Sequence, residues 1–152
     1  MNPLLKVFLI SMVVLIEQRG AIPVGIIGYH LNPWLVFLVS LIGSFVPAPF
    51  IYLGFNKIFE LMKRFSFLNW FTKFVENKVR KGSEKLEKYK EIGLITFVGI
   101  PLPTTGLWTG SAIAAFMGLN FKKSMICVFL GGVISAAIIT ILSVVAPAIL
   151  GL

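Results

Sequence analysis

Long apolar runs without charge dominate the pattern of hydrophobic and polar positions along the chain. Residues 20–56, 92–121 and 124–152 contain no Asp, Glu, Lys or Arg. Each run is longer than the roughly 20 apolar residues that cross a bilayer as a helix. The pattern therefore predicts an all-α integral membrane protein.

The first apolar run must break before it ends. As one straight helix it would be about 55 Å long, against a hydrocarbon core of about 30 Å. Pro33 disfavours helix at Asn32 and can itself begin a helix. We therefore predict a transmembrane span over residues 34–55, with a kink at Pro47 and Pro49, where helical hydrogen bonds are lost.

Upstream of that span, two short helical segments flank a break. Residues 4–16 are apolar but short for a crossing, and Gly20 and Pro23 then predict a break at 17–23 before a second helix that runs to about residue 30. Non-helical backbone at membrane depth requires protein or a water-filled cavity around it. This part of the chain therefore predicts a re-entrant helical hairpin.

The second half of the chain repeats the plan. Apolar residues 92–100 precede a second break, residues 107–118 resume the helix, and a final span is predicted at 124–150. An offset of 88 residues aligns Leu31-Asn32 with Leu119-Asn120, and the order hairpin, Leu-Asn, span occurs twice. We therefore predict an internal repeat, in which the helix breakers of the second hairpin are Pro101, Pro103, Gly106 and Gly110.

The charges are concentrated between the two halves. Ten Lys or Arg and five Glu lie between Lys57 and Glu91, and the net charge is +8. Basic loops favour the cytoplasmic side, so this block orients the two halves oppositely, as an inverted repeat in the plasma membrane. The predicted division is 1–55, 56–91 and 92–152 within one membrane domain. No basic stripe lies on a soluble fold, which argues against nucleic acid as a partner.

Apolar residues from Ile58 to Val79 recur at helical spacing within the basic block, and Lys and Arg lie among them. Apolar and aromatic residues on one face with basic residues on the other are typical of a helix that lies in the membrane interface. The block therefore predicts an amphipathic central helix that contacts membrane lipids.

Glu17 and Arg19 are the main candidates for chemistry. A charge at membrane depth is expensive, so it usually faces a cavity or a partner and marks a functional site. Burial and a nearby arginine shift a carboxyl pKa in opposite directions, so a proton gradient can switch Glu17. The planar donor fork of Arg19 suits a phosphate. The alternative is a structural ion pair that holds the hairpin together.

Hydroxyl groups and freed backbone groups mark the second break. Thr104, Thr105 and Thr109 lie at an expected helix start, which attracts anions, although threonines there can simply cap the helix. Gly106 and Gly110 also permit close helix packing. Trp108 either stacks on a substrate or packs at the membrane interface.

Other chemistry has little support in the sequence. His30 is the single histidine and Cys127 the single cysteine, and neither has neighbours at metal-ligand spacing. Nucleophile, phosphate-loop and dinucleotide motifs are absent. The sequence therefore predicts no enzyme, no cofactor and no metal site.

The two breaks resemble the signature segments of the small multidrug export protein family. The resemblance is carried by "EQRGAIP" from Glu17 and by "PLPTTGLWTGS" from Pro101, and the likeness in plan covers nearly the whole chain. That family resembles the DedA/VTT superfamily, which has two re-entrant hairpins in inverted halves. Members of the superfamily are linked to proton-dependent movement of polyprenyl phosphate or other lipids between leaflets. The resemblance implies that Glu17 and Arg19 match an acidic and a basic position of the first re-entrant segment.

DedA-type proteins have further arginines in the second half, whereas "PLPTTG" has none. Either the chain pairs with itself to complete the site, or its substrate needs less positive charge. We predict a small proton-coupled transporter of an amphipathic substrate, with a phosphate-bearing lipid as first choice and a homodimer as its state. Export of lipophilic drugs or cations, and a membrane scaffold without transport, remain as alternatives.

Overall fold

The computed structural model describes residues 2–13, 16–63, 84–102 and 105–150. The regular secondary structure of these residues is helical and contains no strand, which confirms the all-α prediction. A π-helical turn, Val24–Gly28, extends the second helix. The α-helices of the described residues are α1 (Pro3–Ser11), α2 (Glu17–Pro23), α3 (Pro33–Phe45), α4 (Ala48–Lys63), α5 (Glu84–Gly99), α6 (Leu107–Phe116) and α7 (Phe121–Leu150).

Two helical segments of the described chain are long and apolar enough to cross a membrane. Pro33–Ile58, from α3 and α4, has 26 residues with a mean hydropathy of 2.1. Phe121–Pro147, in α7, has 27 residues with a mean hydropathy of 2.6. At 1.5 Å per residue, each exceeds the roughly 30 Å hydrocarbon core. The two predicted spans, 34–55 and 124–150, are confirmed as candidate membrane helices.

The start and the kink of the first span follow from local chemistry. The Asn32 side chain accepts a hydrogen bond of 2.9 Å from the Trp34 N–H, and Pro33 is the first helical residue. The chain leaves helix briefly at Val46 and Pro47, between α3 and α4. The predicted kink therefore lies where the prolines remove backbone donors.

The first break lies earlier than predicted. Helix α1 ends at Ser11 and α2 begins at Glu17, so the chain leaves helix within residues 12–16 and not at 17–23. Gly20 and Pro23 lie inside α2, and their prediction as helix breaks is wrong. Glu17 itself has a φ of 46°, a left-handed backbone conformation that is uncommon for a residue with a side chain.

Pro23 is tolerated because the helix widens after it. Proline lacks the N–H that would bond the carbonyl of Arg19, and its ring crowds that turn. The following turn is π-helical, and the Tyr29 N–H reaches the Val24 carbonyl at 3.0 Å. One wider turn therefore lets the helix continue where a break was predicted.

The second break is confirmed in place. Helix α5 ends at Gly99 and α6 begins at Leu107, so Pro101 and Gly106 lie in the break. Gly110 lies in the first turn of α6, and its prediction as a break is wrong. A Cβ at Gly110 would lie 2.3 Å from Cγ2 of Val98, so this glycine allows α6 to approach α5. Pro103 lies outside the described residues.

The basic block is divided between two helices and a stretch outside the described residues. Helix α4 extends to Lys63, and α5 begins at Glu84 and continues into the apolar second half. The predicted boundary at 91/92 therefore lies inside α5. Most of the predicted amphipathic helix, residues 58–79, lies outside the described residues.

Backbone features recur in the two halves at the offset of 88 residues. His30 and Gly118 both have a positive φ, 51° and 68°. Asn120 accepts a hydrogen bond of 3.0 Å from the Lys122 N–H, as Asn32 does at the start of α3. In each half, a residue with positive φ and a capping asparagine thus precede the long helix, which is α3 in the first half and α7 in the second.

Glycines at the same offset bring a short helix against a long one in each half. A Cβ on Gly43 of α3 would lie 2.0 Å from Oγ of Ser11 in α1. A Cβ on Gly131 of α7 would lie 2.7 Å from Cβ of Val98 in α5. The pair α1 and α3 therefore packs as closely as the pair α5 and α7.

Buried side chains form two clusters, and apolar side chains cover the outside. One cluster, centred on Val7, Ile22 and Val36, also includes Ala136 of α7, and the other lies among α4 to α7. Trp34, Phe50 and Ile149 are 76%, 72% and 77% exposed. Such a surface suits lipid rather than water as the surrounding medium.

Candidate functional site

The two breaks meet at the carboxylate of Glu17. One carboxylate oxygen accepts the Leu107 N–H at 3.2 Å, and the other accepts the Trp108 N–H at 3.0 Å. These are the first two N–H groups of α6, which have no partner within their own helix. Glu17 therefore caps α6 from the other half of the chain, where the helix dipole also favours a negative charge.

Gly106 makes this capping possible by its lack of a side chain. It precedes α6 in an extended conformation and offers no capping group. A Cβ at this position would lie 2.2 Å from Oε2 of Glu17. The carboxylate is therefore pressed directly against the backbone of residue 106, and any side chain there would displace it.

Arg19 contacts the second break beside Glu17. Its Nη2 donates a hydrogen bond of 2.9 Å to Oγ1 of Thr105. The same hydroxyl donates to the Ile100 carbonyl at 2.7 Å, so Thr105 joins the arginine to the end of α5. Within the described part of the chain no salt bridge links Glu17 to Arg19, so each side chain binds the second half separately.

Gln18 fastens the same segment to the second span. Its side chain is 1% exposed, and Nε2 donates a hydrogen bond of 3.0 Å to the Gly132 carbonyl of α7. Three consecutive polar residues at the start of α2 thus bind three different parts of the second half: the start of α6, Thr105 and the middle of α7.

Several buried polar atoms around these contacts have no hydrogen-bond partner among the described residues. They include Oε1 of Gln18, Nε of Arg19, Nε1 of Trp108 and Oγ of Ser135. Buried polar atoms are nearly always satisfied by protein or water. The site therefore has spare donors and acceptors for water or for polar groups of a ligand.

Most of the chain matches the model of a known protein family. Residues 17–138 match the model of the family described as "Putative small multi-drug export protein". The chain belongs to this family. The match begins at Glu17, the first residue after the first break, and covers the second break and most of the second span. No curated protein and no solved structure matches the chain.

Family membership confirms the sequence resemblance and gives a coarse function. The description names export, which suggests a membrane transporter. Together with the two apolar spans it identifies a membrane protein. The relation to the DedA/VTT superfamily stays a prediction.

The structure brings together four of the six predicted site residues. Glu17, Arg19, Thr105 and the backbone of Trp108 form one contact. Thr109 is exposed on α6 and is not part of it. The sixth, Thr104, lies outside the described residues.

Sequence reasoning missed Gln18 and the Gly132 carbonyl. The signal for Gln18 was present, because an amide between two charged residues in an apolar region also needs a partner. A backbone carbonyl leaves no signal in the sequence. Among the described residues no group of three or more His, Cys, Asp or Glu side chains is placed to hold a metal ion.

Proposed function

We propose that this chain moves a phosphate-bearing lipid of the polyprenyl-phosphate type between the leaflets of the plasma membrane. The supporting observation is the position of Glu17 at the start of α6, with Arg19 on Thr105 beside it. A helix N-terminus and an arginine fork are two of the groups that proteins use to bind phosphate. In this proposal Glu17 occupies the site that the substrate phosphate takes during transport.

Protonation of Glu17 is the step that exchanges the two anions. A carboxylate accepts stronger hydrogen bonds than a neutral carboxyl group. A proton on Glu17 therefore weakens its hold on the Leu107 and Trp108 N–H groups, which together with Arg19 then bind the phosphate. Loss of the proton returns the carboxylate and releases the lipid. Transport is thereby coupled to a proton gradient.

The unpartnered atoms near the contact favour a polar occupant. Nε of Arg19 and Nε1 of Trp108 are buried donors, and no described residue accepts from them. A phosphate carries acceptor oxygens that suit both. In this proposal Thr105 orients Arg19.

The proposed topology places the site between inverted halves. The basic block lies in the cytoplasm, and the two hairpins enter the membrane from opposite faces. The paired conformations of His30 and Gly118, and of the two asparagine caps, support the repeat. The seven α-helices of the described residues enclose little space, so we also propose a homodimer. Measuring the mass of the protein in lipid nanodiscs would test the dimer.

The test is movement of a labelled polyprenyl phosphate between leaflets of proteoliposomes, with and without a pH gradient. Gradient-dependent movement by the wild type, and its loss in Glu17→Gln, is the expected result. Lys6→Gln is a matched control that changes one charge away from the site. Movement no faster than in protein-free vesicles would overturn the lipid proposal and direct the search to lipophilic cations, and then to a scaffold role.

Export of lipophilic cations is the second candidate, since it agrees with the family description. Its structural support is the buried carboxylate of Glu17, which is 5% exposed and would attract a cation. The two candidates differ at Arg19. A phosphate carrier needs this arginine, whereas a cation carrier tolerates Arg19→Ala better than Glu17→Gln.

A further inference from the structure

A groove that is separate from the Glu17 contact has the chemistry of a lipid site. This groove of about 450 Å³ lies between α5 and α6 and is lined by Lys90, Gly93, Leu94, Phe97, Ile113 and Met117. This volume lies within the range of about 300–1,000 Å³ that is usual for small-molecule sites. Ile113 and Met117 follow Leu107 by six and ten residues, so these lining residues lie about 9 Å and about 15 Å along the helix axis from the Glu17 contact.

The residues that line the groove lie on one face of each of its two helices. Lys90, Gly93, Leu94 and Phe97 follow the i, i+3, i+4, i+7 pattern that puts residues on one helix face. Ile113 and Met117 are four residues apart on α6 and face them. The walls are therefore apolar. Lys90, the one charged residue among those that line the groove, belongs to the basic block.

Lys90 lies at the mouth of this groove. No ion pair or hydrogen bond joins it to the described residues. The adjacent acid, Glu91, is instead engaged by Lys123 of α7 at 3.1 Å. Tyr89, also at the mouth, is 72% exposed, as expected of an aromatic residue at a membrane surface. An apolar groove that ends at a lysine without a partner among the described residues matches a molecule with an apolar chain and an anionic head.

We propose that the groove between α5 and α6 binds an anionic phospholipid of the leaflet next to the basic block. An acyl chain lies along Leu94, Phe97, Ile113 and Met117, and the phosphate head contacts Lys90. Basic pockets between membrane helices bind anionic headgroups in this way. The site is separate from Glu17 and does not depend on the transport proposal.

A second groove provides an internal comparison. It has a volume of about 560 Å³, lies between α3 and α7, and is lined by residues that include Trp34, Ala137 and Thr140. None of its lining residues is charged. It therefore has no preference for an anionic lipid, which makes it a control for the effect of Lys90.

The experiment is native mass spectrometry of the detergent-solubilised full chain, titrated with phosphatidylglycerol or with phosphatidylcholine of the same acyl chains. The wild type should bind the first phosphatidylglycerol about fivefold more tightly, as expected for one lysine near an anionic lipid. Lys90→Gln should remove this preference, whereas Lys88→Gln, which changes an exposed lysine outside the groove, should keep it.

Gly93→Leu tests the chain-binding part of the groove. Gly93 lines the groove, and a Cβ there would meet no atom within 4 Å, so a side chain at this position has space to begin in and occupies part of the groove. It should weaken binding of both lipids at this site several-fold, whereas Ala137→Leu in the second groove should leave the phosphatidylglycerol preference unchanged.

Four results would overturn the proposal. Equal affinities of the wild type for the two lipids, or equal losses in Lys88→Gln and Lys90→Gln, would mean that no specific headgroup contact exists. Competition by glycerol 3-phosphate would mean a site for soluble phosphate rather than lipid. A dimer that Gly93→Leu dissociates would mean that a second copy of the chain fills the groove. Because the readout is binding and not transport, this proposal and the transport proposal fail separately.

Discussion

The Trp108 N–H and the Glu17 carboxylate are joined by a hydrogen bond of 3.0 Å, although 91 residues separate them in the sequence. This bond and its neighbour from Leu107 make the start of a helix in one half depend on a side chain in the other. The chemistry of the site and the stability of the fold therefore share one residue, and substitutions of Glu17 should affect both.

Glu17→Ala should destabilise the protein by about 1 kcal/mol, the usual effect of losing a helix cap. Glu17→Gln should be less destabilising, because an amide oxygen still accepts one of the two N–H groups. Thermal unfolding in detergent would measure both. If Glu17→Ala unfolds at the wild-type temperature, the carboxylate does not cap α6 in the membrane protein.

Gly106→Ala should be destabilising by about 1–3 kcal/mol, because its Cβ takes the place of a carboxylate oxygen. Combining it with Glu17→Ala should cost less than the two single effects together, since the clash then has no partner. Gly54→Ala is the matched control, because a Cβ there meets open space within α4. Additive effects of Gly106→Ala and Glu17→Ala would contradict the close contact.

Arg19 and Thr105 should be energetically coupled through their hydrogen bond of 2.9 Å. A double-mutant cycle with Arg19→Ala and Thr105→Val should give a coupling of about 0.5–3 kcal/mol in unfolding free energy. Arg19→Lys should retain only part of the wild-type transport rate, because an ammonium group lacks the planar donor fork. Zero coupling would mean that Thr105 does not position the arginine.

Residues 57 and 122 should be accessible from the same side of the membrane. We expect a membrane-impermeant maleimide to label Lys57→Cys and Lys122→Cys only in opened cells, and Trp34→Cys in intact cells. Cys127 is buried, and its replacement by Ala provides the cysteine-free background. Labelling of positions 57 and 122 from opposite sides would exclude the inverted topology.

The spans were predictable because they depend on composition and local chemistry. Pro33, Asn32 and Pro47 act through their own backbone, so the start and the kink of the first span can be read from neighbouring residues. The charge-free runs likewise indicate that each half contains a segment long enough to cross the membrane. These features do not require knowledge of distant contacts.

The position of the first break was not predictable from local rules. Residues 12–16 include no Gly or Pro, yet the chain leaves helix there, and the helix passes through Gly20 and Pro23. Glu17, the residue that follows, contacts the start of α6, 90 residues away, and local sequence rules carry no information on such a contact. The same holds for Gln18, whose partner is a backbone carbonyl of α7.

The separation of 90 residues between Glu17 and Leu107 also has a consequence for biosynthesis. At about 5–20 residues per second, a ribosome needs roughly 5–18 s to make the chain between them. During this interval Glu17 has left the ribosome, and the N–H groups that bind it do not yet exist. The contact between Glu17 and the start of α6 therefore forms only after the start of α6 has been synthesised, and a chain stalled on the ribosome before residue 107 should lack both of these hydrogen bonds.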